Sequence, residues 1–405
     1  MNFNPVLVQR VQSRILEYGS FVTALWVLSI YFSTSLAIIL SGLLGLFWLL
    51  SAQFMVLPDT LKKNPVAAWS LFLFLWFILG SSYTSAMPSD AFSMLMKYRE
   101  LVFIPVLFSF LSTERYRSWV WKAFVIASVS TLLISYLMDM GILDFREQGG
   151  ATFKSRITHS IFISFFAFFC AHKAYDGQRY AKLFLALFIL CLYNLFFMVD
   201  GRTGQLIVVL LILLFGVQRF TKKYVLLMVL VMAILLGFFL AFSDKAARIS
   251  EGFASTQAYL QSHPEKTEVT VGARLTFWRY SLKLIAEKPL LGHGTGSFEK
   301  EYDRIAHDEH LTAKNPHNEF LMIGVQLGFT GLLIYLGFLA SQYYYARNLP
   351  NKEKWLAQGI LLSLMVTSLF NTPIMDHAEG HWFVSMIALC FASLRTDIKA
   401  EVNHA

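Results

Sequence analysis

Apolar runs close to twenty residues long recur along the whole chain, and this constrains its fold more than any other feature. "KLFLALFILCLYNLFFMV", from Lys182 to Val199, is one example. About 20 helical residues cross the roughly 30 Å of hydrocarbon in a bilayer. Lipid offers no hydrogen bonds, so a spanning segment is a helix or part of a closed barrel. The runs are continuous rather than alternating, which selects helices. The sequence therefore predicts an all-α polytopic membrane protein with about 12 transmembrane helices: 17–33, 35–57, 68–84, 93–111, 119–138, 158–172, 181–199, 204–217, 223–242, 317–341, 355–371 and 379–394. With 56% hydrophobic and 15% charged residues, the composition agrees, since a soluble protein of this length needs more charge to cover its surface.

The charge distribution gives an orientation. With a cytoplasmic N-terminus, the short segments on that side hold eighteen Lys and Arg, from Arg10 and Arg14 to Arg395 and Lys399. Those on the other side hold six: Lys97, Arg99, Arg146, Lys154, Arg156 and Arg202. This bias predicts both termini in the cytoplasm and an even number of spans. It also accounts for the net charge of +8 without nucleic acid, because the cations are spread between apolar runs. The first run lacks a small-residue cleavage site and reads as a retained span. Cys170, Cys191 and Cys390 lie inside apolar runs and form no disulfide framework.

Three regions follow: 1–242 with spans 1–9, a 243–316 outer loop with amphipathic helices, and 317–405 with spans 10–12 and a short cytoplasmic tail. The loop carries ten Lys/Arg and ten Asp/Glu, so it is no unselective anion trap. Within it, "RLTFWRYSLKLIAEKP" sets Leu275, Trp278, Leu282 and Ile285 at helical spacing, with Pro289 as the stop. "LLGHGTGSF" follows as a glycine-rich turn.

Chemistry-bearing residues gather at the outer ends of the spans. In "NPHNEFLMIGVQLGFTGLL", Asn315 reads as an N-cap and Pro316 as the first helical residue. His317 would then lie in the first turn, where the helix dipole disfavours imidazolium and leaves the neutral ring a general base needs. An interfacial histidine bonded to a loop carbonyl carries the same signature. Arg202, in the tight turn "VDGRTGQL", is costly beside hydrocarbon unless it snorkels, pairs with Asp200 or binds an anion. Its planar fork suits phosphate oxygens. Arg274 starts the amphipathic loop helix and is either an anion ligand or a solvated helix-start arginine. Lys97, Arg99, Lys154 and Arg156 depart from the sidedness bias, as substrate ligands or as snorkelling anchors. In "NTPIMDHAEGHWF", Asp376, His377, Glu379 and His381 are able to orient a base or bind an acceptor sugar, and equally fit ordinary interfacial polar roles. His307 and His310 in "AHDEHL" lack the HExxH spacing of zinc hydrolases. Neither a metal nor an organic cofactor is expected.

Three stretches together resemble the O-antigen ligase and polymerase superfamily, over about 200–335. "DGRTGQL" is similar to its GR-S/T-G element, "RLTFWRYSLKLIAEKPLLGHGTGSF" to its external-loop segment, and "NPHNEFLMIGVQLGFTGLL" to its H-N-x-x-L helix start. The resemblance implies a GT-C-like glycosyltransferase in the bacterial inner membrane, its site facing the periplasm. The donor would be a glycan on undecaprenyl diphosphate, and the acceptor the lipid A–core oligosaccharide. His317 would be the catalytic base, Arg202 and Arg274 the diphosphate ligands, and Asn318 a further substrate contact. Two guanidinium groups at the leaving diphosphate stabilise the transition state more than the ground state, in place of a divalent ion. A base on the opposite face implies inversion at the anomeric carbon. The single dominant outer loop favours a ligase over an O-antigen polymerase. A flippase for the lipid-linked glycan is the alternative of another class; it would need the arginines but not the histidine.

Overall fold

The computed structural model describes residues 5–144, 152–177, 179–242, 271–307 and 312–395. In chain order the helices are α1 (Pro5–Phe32), α2 (Thr34–Leu50), α3 (Leu57–Lys63), α4 (Pro65–Ser81), α5 (Pro88–Tyr98), α6 (Phe103–Phe110), α7 (Glu114–Asp139), α8 (Arg156–Tyr175), α9 (Ala181–Tyr193), α10 (Arg202–Arg219), α11 (Lys222–Phe242), α12 (Val271–Glu287), α13 (Phe298–Ile305), α14 (Glu319–Ala346), α15 (Asn351–Phe370) and α16 (His377–Phe391). The described residues contain no strand. Six helical segments among them are long and apolar enough to cross a membrane, or seven if the bent pair around Leu50 and Gln53 is one span. By length and composition the described residues thus supply six or seven membrane-capable helices of the twelve expected. Arg146, His310, Lys399 and most of the first half of the outer loop lie outside the described residues.

Two expected spans are interrupted, each for a visible reason. The segment 93–111 is not one helix: α5 gives way to a 3-10 turn at Arg99–Val102 before α6. Lys97, Arg99 and Glu100 sit at that join, and the fully buried Glu100 pairs with His377. The segment 35–57 stops at Leu50, and the chain bends by 77° into the 3-10 turn and α3. Ala52, with φ 54°, makes the corner.

Packing places α8 against α9 and α10, α1 against α2 and α7, and α14 against α4, α15 and α12. The centre is aromatic. Trp382 stacks on Phe162 at 4.8 Å and donates its Nε1–H to the Tyr31 hydroxyl at 2.9 Å, so its polar edge is satisfied inside the bundle. On α11, Leu226, Leu230, Ile234 and Phe238 recur every four residues and are exposed, the pattern of a lipid-facing stripe.

α14 contains a break that the outer loop repairs. Gly328 has φ 63° and ψ −160°, which interrupts the helix. The freed carbonyls of Val325 and Gln326 accept from the backbone N–H groups of His293 and Gly294 at 2.9 and 2.8 Å. In return Phe329 and Thr330 donate to the carbonyls of Pro289 and Leu290 at 2.7 and 3.2 Å. The glycine-rich turn "PLLGHGTG" thus replaces the missing helical ladder, as buried irregular backbone in a membrane protein requires. Leu282, expected on the apolar face of α12, is instead 59% exposed. The buried face is Ala273, Phe277, Tyr280, Leu284 and Ile285, shifted around the helix to meet α14.

Candidate functional site

The site grows from helix N-termini. Gly201 caps α10, and Gly204 lies one turn inside it, both pressed on α8. A Cβ on Gly204 would stand 2.3 Å from the Ser160 Cβ, so only glycine lets the two helices touch here. Ser164 Oγ closes the contact by donating to the Gly204 carbonyl at 2.8 Å. This places Arg156 and Arg202, each the first residue of its helix, at adjacent N-termini. α16 joins them, because Thr158 Oγ1 donates to the Glu379 carboxylate at 3.1 Å. The start of α14 meets the loop that leads into α16, because the Ile374 N–H donates to the Glu319 carboxylate at 3.2 Å. The N-terminal ends of α8, α10, α14 and α16 therefore gather at one end of the bundle, where backbone N–H groups and helix dipoles favour an anion.

Arg274, near the start of α12, comes to the same place. Its guanidinium is held below its ordinary pKa by burial first and by the neighbouring Arg202 second. His317 completes the group: burial first, and Arg274 second, push its imidazole below the ordinary 6.5, while the Asn371 side chain opposes this. Arg202, Arg274 and His317 thus form one electrostatically coupled cluster, with the imidazole biased toward the neutral state.

His317 reaches this state by a different route from the one its sequence suggested. It is not in the first helical turn. The N-cap of α14 is Asn318, whose side chain accepts from the Leu321 N–H at 3.0 Å. Asn315 instead accepts from the His317 N–H at 2.8 Å, and the Pro316 carbonyl accepts from Trp278 Nε1 at 3.0 Å. Pinned on both sides, His317 adopts φ 50°, a left-handed backbone uncommon outside glycine. Its ring lies 6.4 Å from that of Phe277.

The remaining candidates divide by what they touch. Asn318 also donates to the Leu369 carbonyl at 3.1 Å, so both ends of its amide serve the fold. Asp376 is the N-cap of α16 and accepts from Ala378 and Glu379. Lys154 is buried and donates to Thr34 Oγ1 at 2.7 Å; burial lowers its pKa against the opposing Asp376 carboxylate. Arg99 donates to the Met96 carbonyl at 2.6 Å, Lys97 is half-buried, and Arg156 is exposed. Asn371, which the sequence did not single out, stands between His317 and Glu379. Nothing in its immediate sequence marks it, because its role depends on three separate helices meeting.

Glu100, His377 and His381 offer ligand atoms within 4.8 Å of one another, the geometry of a possible metal centre. His377 and His381 face the Glu100 carboxylate through Nδ1 at 3.1 and 3.0 Å. His381 Nδ1 also meets the His377 carbonyl, which can only accept, so that nitrogen carries the proton. Its other nitrogen, Nε2, keeps the lone pair and is buried without a hydrogen-bond partner.

The O-antigen ligase family model matches residues 184–336, a segment that contains Arg202, Arg274 and His317. The chain is 28% identical over 145 residues to a protein of Rickettsia conorii named as a polysaccharide ligase, covering 34% of each chain. It is 31% identical over 102 residues to a protein of Rickettsia bellii with the same description, covering 23% of this chain and 22% of that one. An uncharacterised protein of Haemophilus influenzae is 24% identical over 258 residues, covering 60% of this chain and 61% of its own. The matches thus span less than two thirds of each relative's length. Residues 184–336 are thus similar to the O-antigen ligase family.

Proposed function

We propose that this protein is an O-antigen ligase that transfers a glycan from undecaprenyl diphosphate to the lipid A–core oligosaccharide, on the periplasmic face of the bacterial inner membrane. The observation that carries this reading is the coupled cluster of Arg202, Arg274 and His317. As the glycosidic bond breaks, negative charge grows on the departing diphosphate. Arg202 and Arg274, beside the gathered helix N-termini, meet that charge as it develops. His317, kept neutral, removes the proton from the attacking hydroxyl on the opposite face of the donor sugar. The new bond forms as the old one breaks, so the anomeric configuration inverts. The isoprenoid tail of the donor stays in lipid, which is why the cluster sits at the end of a helical bundle.

Purified protein supplied with lipid-linked glycan and lipid A–core tests this directly. Formation of the glycosylated lipid A–core is the expected result. Glycan extension without transfer to lipid A–core would indicate a polymerase, and donor translocation without a new glycosidic bond a flippase; either overturns the reading.

A further inference from the structure

The base in such a reaction must present one ring nitrogen to the acceptor and keep its proton on the other. The structure contains the parts for this choice. The Glu379 carboxylate is buried and accepts from Thr158 Oγ1 on one oxygen and from Asn371 Nδ2 on the other, both at 3.1 Å. The Asn371 amide thus turns its NH2 toward Glu379. Its carbonyl oxygen then points away from Glu379. The Asn371 backbone is anchored as well, its N–H donating to Thr367 O at 2.7 Å. The His317 imidazole lies against this amide, and its Nδ1 is buried without a hydrogen-bond partner. A buried nitrogen cannot receive a proton from an incoming sugar, but it can hold one.

We propose that Asn371 and Glu379 are positioning residues for His317: Glu379 fixes the Asn371 amide, Asn371 Oδ1 takes the Nδ1–H of the imidazole, and Nε2 is the atom that receives the acceptor's proton. This rests on the ligase reading given above. In the resting structure the Nδ1–H···Oδ1 bond is not closed, which is common for catalytic hydrogen bonds before substrate tightens the site. Proton balance is simple. The acceptor hydroxyl loses its proton to Nε2, its oxygen bonds the anomeric carbon, and the diphosphate leaves with the electron pair of the broken bond. Once that bond closes, Asn371 accepts the Nδ1–H and is itself never protonated.

The charged groups around the ring set the sign of the test. Arg274 faces it from α12, with Arg202 behind. Glu379 lies behind Asn371 on α16. Glu319, two residues along, is held away by the Tyr98 hydroxyl at 2.6 Å and the Ile374 N–H.

The experiment is the pH dependence of kcat/KM for Asn371→Asp, Asn371→Ser, Asn371→Ala and Glu379→Gln, together with binding of undecaprenyl diphosphate to each. Asn371→Asp places a carboxylate beside the ring and is expected to move the acidic limb up by at least about one pH unit. Asn371→Ala is expected to lower kcat about 10²-fold, with carrier binding and donor KM within about twofold of wild type. Asn371→Ser keeps an acceptor and recovers part of the loss. Glu379→Gln frees the amide to rotate and lowers kcat about tenfold with no change in carrier binding. An Asn371→Asp profile that superimposes on wild type, an unchanged kcat for Asn371→Ala, or loss of carrier binding in all four variants overturns the proposal. Failure of the wild-type protein to transfer glycan would instead overturn the functional reading itself.

Discussion

Gly292 and Gly328 face each other so closely that a Cβ on either would stand 2.7 Å from the backbone nitrogen of the other. One belongs to the outer loop and the other to the break in α14, and each has positive φ. Gly328→Ala adds both a steric clash and a backbone conformation that alanine avoids, costing about 1–3 kcal/mol. The expected outcome is a lower thermal unfolding midpoint in detergent. An unchanged midpoint would show that the loop and helix are not mutually dependent.

The pH dependence of transfer reports on His317. Its folded pKa lies below 6.5, and in the proposed mechanism the neutral ring is the active form. Activity should therefore persist as pH falls through 6.5 and be lost only below the depressed value. Arg274→Gln removes a neighbouring positive charge, so the imidazole pKa rises and the acidic limb moves to higher pH. Arg274→Lys keeps the charge and leaves the limb nearer its original position. A wild-type profile already half lost above 6.5 would contradict the depressed imidazole.

Arg202→Ala and Arg274→Ala should each reduce kcat/KM for the lipid-linked donor by about 10²- to 10³-fold, the scale of removing one fixed donor from developing charge. Lysine at either position restores part of this, because it supplies charge without the planar fork. Equal activity of the alanine variants and wild type at low donor concentration would remove the arginines from the site.

His317→Ala should abolish transfer while carrier binding persists. Chelator should leave wild-type activity intact, since guanidinium groups meet the diphosphate. Residual turnover in the alanine variant, or inhibition by chelator reversed by added divalent ion, would redistribute these roles.

Asp376 offers a contrast. Its carboxylate caps α16, so Asp376→Ala should cost about 0.5–2 kcal/mol of stability. Asp376→Asn retains a cap and should retain activity. A large loss of transfer in the asparagine variant, at normal stability, would return Asp376 to the acceptor site.

Much of the helical character could be read from composition, because lipid leaves the backbone few alternatives. The three motif residues Arg202, Arg274 and His317 were also legible, since arginine and histidine are conspicuous beside apolar runs. What escaped was geometry that depends on partners. The 93–111 run looks continuous until Glu100 is seen reaching His377. Asn315 and Pro316 read as a helix start, but Trp278 on a distant helix takes the Pro316 carbonyl and Asn318 caps α14 instead. The buried face of α12 is set by α14, not by its own hydrophobic spacing. Asn371 has an undistinguished neighbourhood in sequence and acquires meaning only where α15, α16 and the His317 loop meet.

The gathering of four helix N-termini with two arginines has a kinetic corollary. A grip that hastens departure of the diphosphate from the sugar does not relax once the sugar has gone. The spent carrier keeps its charge and its tail, and so retains every contact that recommended it as a leaving group. In the proposed reaction its escape along the bilayer, rather than the bond exchange, would then set the pace of the cycle.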